Sequence, residues 1–381
     1  MLKAEKQLKT PLMEILSPFP VADPSINAVD FSNCVELARQ HGVEMLFYSR
    51  LKKHYAGSNP CISDYLKKNE NAYLMAVARS MRQEAVEKNV VAMLGKEGIP
   101  ACIFKGNEIA RSLYNDPNCR SSSDIDVLVR RKDLFAADRI LRSAHYHYDT
   151  EIPITYFISY NVNHVSYSDP GNTNIIELHW SFGIPAFFKL SSEETWEGIF
   201  IDGDGHATLL PEMMVIMLLI HHHAHAFSEL RIVVDLLWAF QKYEQSIHWP
   251  EFSVRLKRLG LAKTALISLS QLNALWPEKI PRLQSIDALQ RSLSDMNSMV
   301  SQYLTAYFRM ELGGSPRYLS FKDLFFSRLA IDSLNIILLS YVKPLFPPPE
   351  VIKEFYGTDS KLTLPLNYLR FISFRVKYWI R

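Results

Sequence analysis

The chain has 381 residues, 48% of them hydrophobic and 22% charged, with a formal net charge of +2. That composition is globular, with apolar mass for a real core and length for one or two domains. The near-neutral balance excludes the concentrated basic field of a dedicated nucleic-acid binder.

Four cysteines, Cys34, Cys61, Cys102 and Cys119, form no Cys-x-x-Cys pair. Zinc-ribbon and thioredoxin-type motifs are therefore absent, and sparse thiols fit a reducing cytoplasm. The N-terminal residues are charged from the start, without a signal-peptide core. The most apolar runs, Met213 to Ile220 and Leu334 to Val342, are far shorter than the ~20 residues that a bilayer span needs. The expectation is a cytoplasmic protein with no transmembrane segment.

Residues from about 31 to 97 show helical spacing of apolar side chains, broken at Gly42. A second helix starts near Ile62 and stops at Gly95 or Gly98, with Pro100 beyond. The pattern then changes. Ala101 to Gly106 reads as a short strand, Asn107 to Tyr114 as a helix, and Asn115 to Asn118 as a turn. Asp124 to Val129 reads as a strand and Lys132 to Ala144 as an amphipathic helix. His164 to Asp169, the turn "PGNT" and Asn174 to Phe182 read as a hairpin. From Pro211, which suits a first helical position, nearly everything is helical. The expected organisation is a helical segment over 1–98, an α+β core over 99–207 and a helical domain over 208–381.

The chemistry gathers in the α+β core. Alternation along a strand puts Asp124 and Asp126 on one face, and Ile125, Val127 and Val129 on the other. Two carboxylates side by side repel, and a divalent cation relieves the repulsion; hard oxygen donors suit Mg²⁺. The competing reading is a pair of acids that merely flank a strand. Gly106 stands between a strand and a helix start, where backbone N–H groups can hold a phosphate, and Lys105 adds a charge. Arg120, followed by Ser121 to Ser123, can grip phosphate or simply cap the turn. Glu177, sharing a strand face with His179, offers a third acid for a two-metal phosphoryl site, or an edge-strand acid beside a hydrogen-bonded histidine.

The order Lys105-Gly106, then "LYNDPNCRSSSDIDVLV", then an acid before His179-Trp180 resembles the DNA polymerase β-type nucleotidyltransferase superfamily. More narrowly it resembles an uncharacterised bacterial nucleotidyltransferase family, and more distantly the AbiEii-type toxins. The resemblance spans about residues 25 to 270. It implies an α+β fold with a small mixed-sheet core, flanked by helices on both sides. It implies that Asp124 and Asp126 bind metal, that Glu177 joins them and activates the attacking hydroxyl, and that Gly106 belongs to the nucleotide-phosphate turn. Lys105, Asn107, Arg120 and Ser123 would line the nucleotide. The cofactor would be two Mg²⁺ ions, with Mn²⁺ as a substitute. The substrate would be an NTP, with ATP favoured, and the acceptor a small molecule, a protein or an RNA. Two positions depart from the superfamily pattern: Asn107 follows the glycine where serine is common, and the third acid is Glu rather than Asp. A nucleotide-binding module without turnover is the alternative.

Two further stretches stand out. "HHHAH" places His221 and His225 one helical turn apart. It can line the nucleotide cleft, with His225 or Arg231 near base or phosphate; it can hold a metal with Asp235, as in a phosphohydrolase; or it can be packed core. The tail from Tyr368 interleaves aromatics with Arg370, Arg375, Lys377 and Arg381. It suits a nucleic-acid backbone or an anionic membrane surface or, more simply, aromatic packing with solvated charges.

Overall fold

The structure is a computed structural model that describes residues 11–19, 26–57, 59–120, 122–148, 154–159, 162–184, 187–203, 205–277, 283–293, 302, 326–342, 346–357 and 362–380. It is a mixed α+β fold. Helix α1 (Ala28–Gln40) begins at Asn27, whose side chain accepts from Asp30 N–H, a normal N-cap. Gly42, at φ +64°, separates it from α2 (Glu44–His54). Helix α3 (Pro60–Lys96) has Pro60 in its first turn and Asn59 as cap. At 37 residues it is long, about 55 Å at 1.5 Å per residue. Its buried positions are few: Ile62 near the start, then Gln83, Glu87, Val90 and Leu94 near the end.

A five-stranded sheet follows, in the order β1-β2-β5-β4-β3. The strands are β1 (Ala101–Ile103), β2 (Asp124–Val129), β3 (His147–Tyr148), β4 (His164–Ser168) and β5 (Ile175–His179). β2 and β5 are parallel, and the other pairs antiparallel. The β4–β5 hairpin is the one the turn "PGNT" forecasts. Between β1 and β2 lies helix α4 (Asn107–Ile109), which continues as a π-helical turn over Ala110–Tyr114. Helices α5 (Leu134–Ser143) and α6 (Ile154–Ser159) complete this part. A second, two-stranded sheet, β6 (Ile199–Ile201) with β7 (Ala207–Leu209), follows α7 (Ser192–Glu197). The sequence reading did not forecast it.

One face of the main sheet is apolar and buried along its central strands, and the other is buried only in part. Ile103, Ile125, Val127, Val129, Val165, Tyr167, Ile176 and Leu178 face one apolar cluster with Val90 and Leu94 of α3 and Leu134 and Leu141 of α5. Cys102, Phe104 and Leu128 join the larger cluster formed with the C-terminal helices. Those helices include α8 (Pro211–Ala224), α9 (Leu230–Lys242), α10 (Trp249–Leu259), α11 (Ala262–Leu275) and α12 (Gln284–Ser292). Every residue of α8 from Met213 to His223 is buried, as expected for a helix that is apolar around most of its circumference. The same cluster takes in Leu12, Ile15 and Leu16. Carbonyls of that first segment accept from Trp276 Nε1 at 2.8 Å and Trp238 Nε1 at 3.0 Å.

Helices α13 (Leu334–Val342), α14 (Pro349–Tyr356) and α15 (Leu364–Ile380) end the chain. Phe371 is buried with Val351 and Ile352, and Tyr368 donates to the Pro347 carbonyl at 2.6 Å. Aromatics at the start of the tail therefore pack. The side chains of Arg375 and Lys377, and all of Arg381, lie outside the described residues. Among the described residues no helix is long and apolar enough to cross a membrane.

Candidate active site

Strand register decides which side chains meet. Asp126 pairs with Glu177 across the parallel β2–β5 ladder. His164 pairs with His179, and Ser166 with Glu177, across β4–β5. Paired residues share a face, and alternate residues return to it. Asp124, Asp126, Glu177, His179 and His164 therefore stand on one face, while their intervening neighbours fill the opposite core. The sequence expectation that both aspartates and Glu177 meet on one face holds in the geometry.

Acids on adjacent strands, about 5 Å apart, repel unless countered. Two groups counter them. Lys105, just past β1, donates from Nζ to Asp126 Oδ1 at 2.6 Å and lies 5.0 Å from the Phe104 ring centroid. His179 Nε2 lies 2.9 Å from the same oxygen and 3.1 Å from Glu177 Oε2. Asp126 is 4% exposed. Burial alone would raise its carboxyl, but the Lys105 charge and the His179 hydrogen bond hold it well below the usual carboxylate range. Asp124 goes the other way: burial raises it, the charges of Asp126 and Glu177 raise it further, and the Ser122 hydroxyl at 3.0 Å offsets only part. Burial would likewise raise Glu177, yet its hydrogen bond from His179 and the nearby imidazoles lower it. Burial and His179 push the His164 imidazole down to about 4.

The turn beside these acids needs glycine twice over. Gly106 has φ +52° and ψ −122°, a region side chains rarely adopt. An added Cβ would also come within 3.2 Å of Ser122 Cβ and Oγ.

Several expected nucleotide contacts are engaged elsewhere. Gly106 is the cap of α4. The Asn107 amide turns to α3, donating to Glu87 Oε1 at 3.0 Å and accepting from Ser80 Oγ at 3.0 Å. Arg120 is buried, and its Nε donates to Asp235 Oδ2 of α9 at 3.1 Å. Tyr114, at the end of the π-helical turn, donates to the other Asp235 oxygen at 2.5 Å. Arg120 thus fastens the loop before β2 to the helical roof. Ser123 is exposed, and Ser122 is the serine that bonds Asp124. His225 and Arg231 both pair with Glu229, at 2.6 and 3.2 Å.

The histidine run divides. His222 bonds Ser268 Oγ and His223 bonds the Ser327 carbonyl, so both are core. His221 faces the acids' neighbourhood: burial, then the charges of Lys105, His225 and Arg120, hold it neutral, well below its ordinary range. With Asp235 taken by Arg120 and Tyr114, the metal reading of this helix has lost its carboxylate. Among the described residues, the group whose ligand atoms lie within 4.8 Å of one another is His164, Glu177 and His179. A separate groove of about 720 Å³, bounded by Glu194, Glu212, Arg255 and Arg258, contains none of the expected site residues.

The donor set suits a divalent cation. Asp124 is an acid whose neighbours leave it under-neutralised, which is the electrostatic condition that a bound cation relieves. Local pattern missed His164 and singled out Ser123 where Ser122 makes the bond to Asp124. The hairpin carried a signal for His164: counting outward from the "PGNT" turn sets it opposite His179.

Asp124, Asp126 and Glu177 thus share one sheet face beside the Lys105–Gly106 turn. The family follows from the sequence: residues 27–277 match the family model described as uncharacterised nucleotidyltransferase. The match covers well over half of the chain, which belongs to that family, and its activity falls in the broad class of nucleotidyl transfer. No curated protein matches the chain, and no solved structure does.

Proposed function

We propose that the protein moves a nucleoside monophosphate from an NTP, with ATP favoured, to a hydroxyl acceptor, releasing pyrophosphate in the manner of the DNA polymerase β-type superfamily. The observation that carries this reading is the register pairing of Asp126 with Glu177, with Asp124 on the same face. Asp124, Asp126 and Glu177 would hold Mg²⁺, or Mn²⁺ in its place, and the bound ions would neutralise charge on the triphosphate. Gly106 lets the triphosphate approach the backbone. Lys105 exchanges its partner, from Asp126 to a phosphate oxygen, when the substrate binds. Glu177 accepts the proton of the acceptor hydroxyl as that oxygen attacks the α-phosphorus, and the bond to pyrophosphate breaks. Positioning and charge stabilisation supply most of the acceleration.

The acceptor is a hydroxyl of a small molecule, a protein or an RNA. The test supplies α-³²P-labelled NTPs, Mg²⁺ or Mn²⁺, and cell extract. Label on an acceptor, with matching pyrophosphate and loss of both in Asp126→Asn, is the expected result. No label and no pyrophosphate with any NTP overturns the transferase reading. One observation favours a binding module without turnover instead: Asn107 is engaged by Ser80 and Glu87 rather than turned to the phosphate turn. NTP binding without pyrophosphate release would select that reading.

A further inference from the structure

Asn163 sits between two histidines of the acidic face and sets the proton on each. Its Nδ2 donates to the Ser181 carbonyl at 3.4 Å and lies 3.2 Å from His179 Nδ1. Ser181 offers only an acceptor there, so the amide orientation is fixed and His179 Nδ1 must accept. His179 therefore carries its proton on Nε2, where it serves both Asp126 and Glu177. The other end of the amide has the opposite effect. Asn163 Oδ1 lies 3.3 Å from His164 Nδ1 and, being an acceptor, takes a proton from it. That leaves His164 Nε2 as a lone pair, 3.5 Å from Glu177 Oε1. Two acceptors facing each other repel unless a cation or a hydrogen-bond donor lies between them.

We infer that His164 Nε2 and Glu177 Oε1 form a nitrogen–oxygen cation position, so that the site takes Mn²⁺, Co²⁺ or Zn²⁺ in preference to Mg²⁺. This rests on the reading that the acidic face holds divalent cations, and deepens it by naming a ligand and an ion class. Imidazole nitrogen is a poor partner for Mg²⁺ and a good one for the borderline ions. The two atoms are 3.5 Å apart, a gap that small side-chain shifts open around an ion with bonds of about 2.1 Å. A ligating imidazole normally donates its other N–H to an outer acceptor that fixes the ring. His164 has that acceptor in Asn163, and His179, with its proton on Nε2, serves as hydrogen-bond donor to the carboxylates. The side chain of His164 is 32% exposed, so an ion can reach it from solvent.

The test is Mn²⁺ binding to the full chain, read by pulsed electron paramagnetic resonance for coupling to ¹⁴N. Coupling is expected in the wild type, with Mg²⁺ displacing Mn²⁺ only at large excess. His164→Gln should lose the coupling and bind Mn²⁺ more weakly. Asn163→Ala should keep the coupling while affinity falls about 10- to 100-fold, as for other outer partners. Mn²⁺ bound to the wild type without nitrogen coupling overturns the inference and leaves the three-acid cation site standing. Coupling that vanishes in His179→Gln and persists in His164→Gln overturns it too. No Mn²⁺ binding at all removes the cation site itself. The wild-type spectrum decides even if a variant fails to fold.

Discussion

Lys105 Nζ lies 2.6 Å from Asp126 Oδ1, and the two side chains are 12% and 4% exposed, so a buried ion pair sits at the centre of the acidic face. Removing one partner of such a pair strands the other charge and costs about 3–5 kcal/mol. Lys105→Met should therefore lose stability on this scale in cation-free buffer, and Mn²⁺ should restore more of it than it adds to the wild type. Urea denaturation with and without Mn²⁺ checks this; equal stabilities in cation-free buffer would mean that the pair contributes nothing.

The two aspartates should respond oppositely to amide substitution. Asp126 has a lowered carboxyl, so its stabilisation is present above the unfolded value of about 4 and is lost only in strong acid. Asp126→Asn should be less stable than wild type at pH 7. Asp124 has a raised carboxyl, so its favourable contribution belongs to the protonated form, present below about pH 4 and lost as pH rises through its folded value. Asp124→Asn should match wild type at low pH and exceed it at pH 7 without cations. Stability curves across this range read both signs, and a loss of stability at pH 7 in Asp124→Asn contradicts the account.

Arg120 and Asp235 are a buried pair that joins the loop before β2 to α9. Either Arg120→Met or Asp235→Leu alone should cost about 3–5 kcal/mol. The double variant should recover a large share of the sum, because neither charge is then stranded. NTP affinity of the double variant should stay close to wild type. An affinity loss of a hundredfold with recovered stability would return Arg120 to the phosphate-binding role that the sequence suggested.

Gly106→Ala should destabilise by about 1–3 kcal/mol through its positive φ alone, with a further penalty from the close approach to Ser122. Ser122→Gly added to it should relieve the contact and leave the backbone cost. Full rescue by the second change would show that the contact, not the dihedral, demands glycine.

Glu177→Gln should separate binding from chemistry, with NTP affinity largely kept and label transfer lost. Calorimetric titration beside the ³²P assay measures both, and parallel losses would place Glu177 on the triphosphate instead.

Much of this layout is visible in the chain because it obeys a period of two. Asp124 and Asp126, alternating with Ile125, Val127 and Val129, announce a strand with two different faces, and the "PGNT" turn announces the hairpin that carries Glu177. His225 and Arg231 are engaged by their near neighbour Glu229, but Asn107 and Arg120 are engaged by partners far along the chain. Asn107 looks like a phosphate contact until Glu87, on α3, claims its amide. Arg120 looks like a phosphate clamp until Asp235, on α9, neutralises it. No local pattern encodes a partner supplied by a different helix. The division within "HHHAH" is of the same kind, since Ser268 and the Ser327 carbonyl decide that His222 and His223 are core.

β2 opens by alternating acid and hydrophobe from Asp124 to Val127, with the two sets on opposite sides of the sheet. Inserting one residue after Asp124 would send Asp126 into the apolar layer and Ile125 to the acidic side. Frame is thus enforced by solubility of the layers as well as by chemistry. Through evolution such a site can be silenced by trimming a single side chain, yet it cannot drift to a neighbouring position without taking the sheet apart.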